Sequence, residues 1–417
     1  MATIAAARTR EARIRPVPWQ RLGGVGVVCA SVVLALLMSP TDPKLPYLWV
    51  FGIAAGFTLQ RSRFCFASAF RDLYLFGSGR IMKGILVGIG VASVGFAVVM
   101  RNAVPFPEFG ALPPEAHILP VGVTTVLGGL LFGLGMVLAG GCISGSLFRS
   151  AEGYVGSWVA IAGAVVGLGA MSQSWNWWWR LVLGAEPKLW LPAIFNLGYG
   201  GAVILTLAGA LAAYLLVVWW EARSGVPTVE ATAEPLREAT FGQRLTTTAR
   251  RIFVRGWSPI VGGAVLGGLN ILMYSVHMPW GITGELSRWA NSLMTSIGAA
   301  PPVALGLSAV GGCAARASES TGFFSHTFAV TVGLIAGALA AALFANEFKL
   351  RFPRTARRYY QSLAGGLLMG YGAGLAIGCT IGAFFSSIAS LSVSGWLFGA
   401  ALFAGALLGT KLIQRIA

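Results

Sequence analysis

Cysteines are the residues whose type and spacing set up chemistry in this sequence. Cys142 and Cys379 each stand in a Gly-Cys-x-x-Gly motif, running from Gly141 to Gly145 and from Gly378 to Gly382. A thiol is a weak hydrogen-bond donor and a soft, polarizable group. Neutral thiols around an anionic site therefore favour a ligand with a soft atom of its own, such as sulfur or selenium. Weak donors also suit passage, because a ligand must bind well enough to enter and loosely enough to leave. A nucleophilic thiolate, as in a sulfurtransferase or a thiol oxidoreductase, would need a nearby base or resolving group. His117, His277 and His326 lie away from both motifs in sequence. Cys65 stands among Arg61, Arg63 and Arg71, and Cys313 lies beside Arg316 in the segment GGCAARASE. Cys29 has neither glycine nor charge close by and reads as a small packing residue. With no CxxC pair and no histidine at ligand spacing, neither a metal site nor a cofactor is expected.

The elements that must position these thiols are written in the sequence twice. GGLLFGLGMVLAGGCISGSLF (Gly128 to Phe148) and GGLLMGYGAGLAIGCTIGAFF (Gly365 to Phe385) agree at 12 of 21 positions without a gap. Each copy reads as an apolar helix that runs into its Gly-Cys-x-x-Gly and resumes as a shorter segment. Glycine costs about 1 kcal/mol against alanine in a helix interior, so glycines clustered at one point of an apolar helix predict a break or a close backbone approach. Gly-interrupted segments in corresponding halves point to the binding site of a transporter, where helix ends and free N–H groups favour an anion.

Composition fixes the class. Of 417 residues 56% are apolar and only 11% charged, which predicts an all-α polytopic membrane protein in a lipid bilayer rather than two or three soluble domains. The 57 glycines suit close helix packing in lipid. The net charge of +16 lies mainly in tails and loops, so it reads as positive-inside orientation, with part available for a basic mouth, and not as a nucleic-acid surface. Asp and Glu are nearly absent from the expected spans, which argues against a carboxylate proton relay or a cation pore.

In order, residues 1–46 form a basic tail and an extra span, 47–220 a first membrane repeat, 221–258 an Arg-rich linker, and 259–417 a second repeat. Both termini and the linker are expected in the cytoplasm. Spans are expected near 23–39, 47–60, 81–100, 154–172, 189–220, 259–277, 322–346 and 390–411, besides the two repeat copies. Phe64 to Phe70 suits a short re-entrant helix, and the stretches near 280–297 and 299–315 are re-entrant or paired. Trp175 to Arg180 reads as an outer-interface aromatic anchor. The orientation of the two copies should be opposite, so that their interrupted helices meet near the midplane.

RSRFCFASAFRD, AGGCISGSLFR and AIGCTIGAFFSSIASLS resemble the signatures of the YeeE/YedE family of bacterial sulfur transport proteins, over about Phe51 to Lys411. The resemblance implies an inner-membrane transporter or facilitated channel, not an enzyme, that takes up thiosulfate or a related sulfur oxyanion through a constricted, cysteine-lined path. By motif, Cys65, Cys142 and Cys379 would line that path with Gly141, Gly145, Gly378, Gly382 and Arg63, and Cys313 is added from its own break. The extra first span, the linker and GGCAARASE are similar to a longer form of the family with links to selenium, so a selenium compound is the alternative substrate. The resemblance also implies a small cytoplasmic sulfur-carrier partner of the TusA type.

Overall fold

The computed structural model describes residues 18–107, 111–224, 252–254, 256–311 and 324–416. The described residues form thirteen principal helices. In the first half these are α1 (Pro18–Met38), α2 (Leu45–Ser62), α3 (Phe66–Phe76), α4 (Arg80–Ala103), α5 (Val123–Ala139), α6 (Ile143–Ala151), α7 (Val155–Leu181) and α8 (Gly198–Ser224). The second half supplies α9 (Pro259–Val276), α10 (Thr283–Ser296), α11 (His326–Phe344), α12 (Ala356–Leu375) and α13 (Val393–Ile416). Between α12 and α13 runs a π-helical segment, Thr380–Ser386, that closes in a turn at Ser387–Ala389. Among the described residues eight helices are long and apolar enough to cross a membrane, or nine if α12 and the segment after it, bent by 48°, count as one span. The protein is a multi-pass, all-α membrane protein.

The two repeat copies pack on each other. A Cβ built on Gly372 would lie 2.6 Å from the carbonyl oxygen of Gly128, and one built on Gly365 would lie 2.6 Å from that of Gly135. Gly128 and Gly365 occupy matching positions of the duplication, as do Gly135 and Gly372, so one contact is made twice. The early part of each helix meets the late part of the other, and α5 and α12 therefore run antiparallel. Their outer neighbours repeat the pattern: Gly133 and Gly405 of α5 and α13 press on the Leu402 and Leu130 carbonyls, while Gly370 and Gly167 of α12 and α7 press on those of Ala164 and Leu367. Side chains larger than hydrogen would hold these backbones apart, which is why small residues concentrate at helix interfaces in lipid. The pairs α2 with α11 and α4 with α9 close in the same way, through Gly52 on Val330 and Gly88 on Gly263.

Several elements differ from what the sequence suggests. Residues 189–197 do not begin a span: Trp190 pairs with Ser392, the Leu191 N–H donates to the Leu391 carbonyl, and α8 starts only at Gly198. Pro192 removes a donor there, and Asn196 and Gly198 take left-handed backbone at φ 52° and 60°. The 280–297 stretch is α10, which carries fully buried Glu285 and its partner Arg288 at 2.7 Å, so a carboxylate does enter the core, neutralised by its own helix. The 299–315 stretch holds only a single helical turn, Leu307–Val310, among its described residues. The Trp175–Arg180 cluster is a packed joint more than an anchor, since the Trp175 and Trp178 indoles donate to the Leu305 carbonyl and the Tyr371 hydroxyl while Trp177 is exposed. Cys29 is exposed on α1 and packs against no core. The Arg-rich part of the N-terminal tail and most of the linker lie outside the described residues.

Candidate functional site

Three cysteines occupy one local backbone device. Arg63, Gly140 and Ile377 adopt left-handed backbone at φ 50°, 78° and 58°, and each is followed two residues later by a cysteine, Cys65, Cys142 and Cys379. Each cysteine has extended backbone and stands as the N-cap of the next segment. The left-handed residue follows one helix and the cysteine begins the next segment; at Cys142 the sulfur also accepts from an N–H of the new turn. Glycine adopts that conformation without strain, whereas a β-branched residue such as Ile377 does so only under the constraint of its surroundings. Strain of that kind concentrates at functional sites. All three thiols are fully buried.

At the first break the Cys142 sulfur accepts from the Gly145 N–H at 3.3 Å and lies 3.3 Å from the Ser144 hydroxyl. Cys65 reaches the same point from the α2–α3 break, and the two thiols face each other. Gly145 makes this possible: a Cβ there would stand 2.6 Å from the Cys65 sulfur and 3.3 Å from that of Cys142. Arg149 folds back so that its guanidinium hydrogen-bonds the Gly140 carbonyl and reaches the Ser68 hydroxyl at 3.4 Å. Its positive charge lies within electrostatic reach of both thiols. Arg149 is not among the residues singled out from the sequence; its spacing of seven residues from Cys142, two helical turns along α6, was the available signal.

At the second break Cys379 is a fully buried N-cap of the π-helical segment whose sulfur makes no capping hydrogen bond. Ile282 is the N-cap of α10, as Cys65 is of α3. Ser386, the repeat partner of Arg149, donates to the Trp280 carbonyl at 2.8 Å and receives the Asn270 amide at 3.0 Å. Asn270 in turn accepts the Trp280 N–H at 2.7 Å. His117, from the loop between α4 and α5, comes within 3.2 Å of the Gly382 carbonyl through Nδ1, an approach consistent with donation by a protonated Nδ1. Burial pushes its imidazole down to about 4, so it is neutral at pH 7. No feature near His117 in sequence marks it for this place.

The other expected residues fall as follows. Gly141 and Gly378 sit at the two breaks, where a Cβ would come 3.4 Å from the Ser146 hydroxyl and 2.9 Å from the Ala383 N–H. Arg63 brings its left-handed backbone rather than its charge to the Cys65 break: its side chain is 74% exposed and pairs with Glu347 at 3.2 Å. Arg61, buried to 1%, binds Glu347 at 2.6 Å and the Gln60 side chain at 2.6 Å. Gln60 spans to Glu152 and Glu347 at 2.9 and 2.8 Å. Arg61, Arg63, Asp72, Arg80 and Trp257 line a cavity of about 260 Å³ beside this network. Cys313 and the rest of the GGCAARASE segment after Gly311 lie outside the described residues. Among the described residues no cluster of three or more His, Cys, Asp or Glu has metal-binding geometry.

Buried thiols at three helix breaks, with a guanidinium beside the first pair, are a set of groups suited to a large, polarizable anion. The family model described as sulphur transport matches residues 61–408. The thiosulfate transporter TsuA of Escherichia coli (strain K12) is 29% identical over 347 residues, covering 83% of this chain and 88% of that protein. The thiosulfate transporter TsuA of Spirochaeta thermophila is 30% identical over 356 residues, covering 83% of this chain and 92% of its own. The probable transporter YedE of Escherichia coli is 33% identical over 189 residues, 45% of this chain and 44% of that one.

Proposed function

The chain belongs to the sulphur-transport family, and on that premise we propose that it carries thiosulfate across the membrane by passing it along Cys65, Cys142 and Cys379. The observation that carries this reading is the recurrence of one device, a left-handed residue followed two positions later by a buried N-capping cysteine, at three helix breaks. Thiosulfate has a soft terminal sulfur and three charged oxygens. The thiols meet the first with weak S–H donors, and the N–H groups at the breaks and Arg149 offset the charge. Each contact is weak enough to be exchanged for the next.

The same proposal covers arrangement and setting. Residues 47–220 and 259–417 are inverted repeats, a reading supported by the antiparallel packing of α5 on α12 through matching glycines. Both termini and the linker 221–258 face the cytoplasm of a bacterial inner membrane, as the concentration of arginine in those segments favours. The protein acts as a transporter without covalent catalysis. A small cytoplasmic sulfur carrier of the TusA type would receive the cargo at the arginine-lined mouth near Arg61 and Arg80. Purified protein in sealed proteoliposomes tests the reading: labelled thiosulfate should enter protein-containing vesicles and not empty ones, and equal counts in both would refute it.

A further inference from the structure

Where the ends of α2, α6 and α11 come together, two carboxylates share one amide, and only one of them has a counter-charge. The buried Gln60 amide donates to Glu152 at 2.9 Å and to Glu347 at 2.8 Å, while its own oxygen accepts from the Arg61 Nε at 2.6 Å. Arg61 and Arg63 both pair with Glu347. Arg149, three residues before Glu152, turns its guanidinium back to the Gly140 carbonyl and the Ser68 hydroxyl. From the segment after α11, the Lys349 N–H and the Arg351 guanidinium reach the Glu152 backbone carbonyl, at 3.2 and 3.5 Å, and not its carboxylate. Arg351 also lies over the Tyr154 ring, 4.4 Å from its centre. Among the described residues Glu152 therefore has no ion pair, only the neutral Gln60 amide, with the Glu347 carboxylate on the other side of it. Glu152 is also the C-cap of α6, an end of the helix where the dipole disfavours negative charge. Burial, with a contribution from the Glu347 charge, pushes its carboxyl above the ordinary range against the pull of Gln60, Arg63 and Arg149.

We propose that Glu152 is a proton site linked to the anion at Cys65 and Cys142: it takes up a proton when the anion arrives and gives it back when the anion leaves. The link is Arg149, whose charge lies within electrostatic reach of both thiols and of Glu152. An ionised Glu152 draws on that charge, whereas a protonated Glu152 leaves it to the anion. The arriving anion in turn adds negative charge near Glu152 and favours its protonated form, and reciprocity makes the two effects equal. One proton from water adds to one carboxylate oxygen, and no other bond changes. The exposed Arg63 side chain and the partly exposed Glu347 open the network to water. This rests on the transport reading and extends it, because a proton would accompany the anion bound at the first break.

The test uses the full-length protein in proteoliposomes, with equal pH on both sides and initial rates of labelled thiosulfate uptake. Between pH ~5 and ~8 the wild-type KM should rise about fivefold, the low end of coupling between linked sites, because Glu152 loses its proton as the pH rises. Thiosulfate itself stays fully ionised over that range. Glu152→Gln keeps an oxygen for Gln60 and cannot titrate, so its KM should stay at the low-pH value throughout. Glu221→Gln, at a carboxylate already paired with Lys83 at 2.7 Å, should keep the wild-type pH profile. A second readout needs no flux: thiosulfate added to the purified wild type in weakly buffered detergent solution should draw protons from the medium, followed with a pH indicator, and Glu152→Gln should draw none. A wild type with a pH-independent KM or no proton uptake would overturn this inference alone, as would the same pH profile in Glu152→Gln. Absence of uptake by the wild type at every pH would overturn the transport reading, and the inference with it.

Discussion

Replacing Gly145 by alanine adds a single methyl group at the point where two thiols meet. Its Cβ would stand 2.6 Å from the Cys65 sulfur, while ordinary contact begins at 3.4 Å, so that sulfur must retreat by about 0.8 Å. Cys65 is fully buried between Phe64 and Phe66, which are buried too, and has little room to yield. Overpacking of this kind costs about 1–3 kcal/mol. Alanine returns about 1 kcal/mol through its helix propensity in α6, so the fold should survive with a net loss of at most about 2 kcal/mol, the difference of those two figures. If the passing anion must part the same thiols, the strain adds to its barrier, and 1–3 kcal/mol slows uptake about 5- to 150-fold. Gly268→Ala, where a Cβ would meet nothing within 4 Å, serves as the control. Uptake rates normalised to membrane abundance decide it: Gly145→Ala at the rate of Gly268→Ala would refute the claim that the anion passes between Cys65 and Cys142.

The remaining predictions concern pH, topology and the exposed thiol. Burial holds the His117 imidazole at about 4 against an ordinary 6.5, so the unfolded chain binds a proton that the folded protein refuses. Stability from this group is complete above pH ~6.5 and lost as the pH falls toward 4, by at most about 3 kcal/mol for the 2.5-unit gap. His277, also lowered to about 4 by burial and by His326, adds to the same trend. Melting temperatures at pH 7.5 and 5 should therefore differ in the wild type and differ less in His117→Asn; equal slopes would remove His117 from the account. A single cysteine at Ser224 should be labelled only from the cytoplasmic side and one at Pro113 only from outside, and the reverse pattern would invert the proposed topology. Cys29→Ala should keep nearly full uptake, because that side chain is exposed on α1, away from the breaks; a loss comparable to that of Cys142→Ala would place the path elsewhere.

The breaks at Cys142 and Cys379 were legible because the duplication prints them twice and glycine marks them. Cys65 was legible through its arginines, although Arg61 and Arg63 turned out to bind Glu347, with Arg63 pointing outward, and Arg71 to pair with Asp72. The start of α8 was not legible by hydropathy alone, since Leu189 to Leu197 is apolar but spends its backbone pairing with Leu391 and Val393. Glu285 was overlooked because a carboxylate in a core segment reads as an exclusion until its partner is seen; Arg288, one turn on, was the local clue. His117 reaches Gly382 across 265 residues of sequence, and only the tertiary fold sets that contact. The difference between the breaks, Ile282 in one and Cys65 in the other, has the same origin.

The most direct test of the central claim is thiosulfate flux through single-cysteine variants in sealed vesicles. The purified wild type should take up labelled thiosulfate, and Cys142→Ala and Cys379→Ala, at equal abundance and with unchanged melting temperature, should lose most of that flux. Full flux in both variants would contradict the account, leaving the two thiols as packing groups and the path without its soft donors.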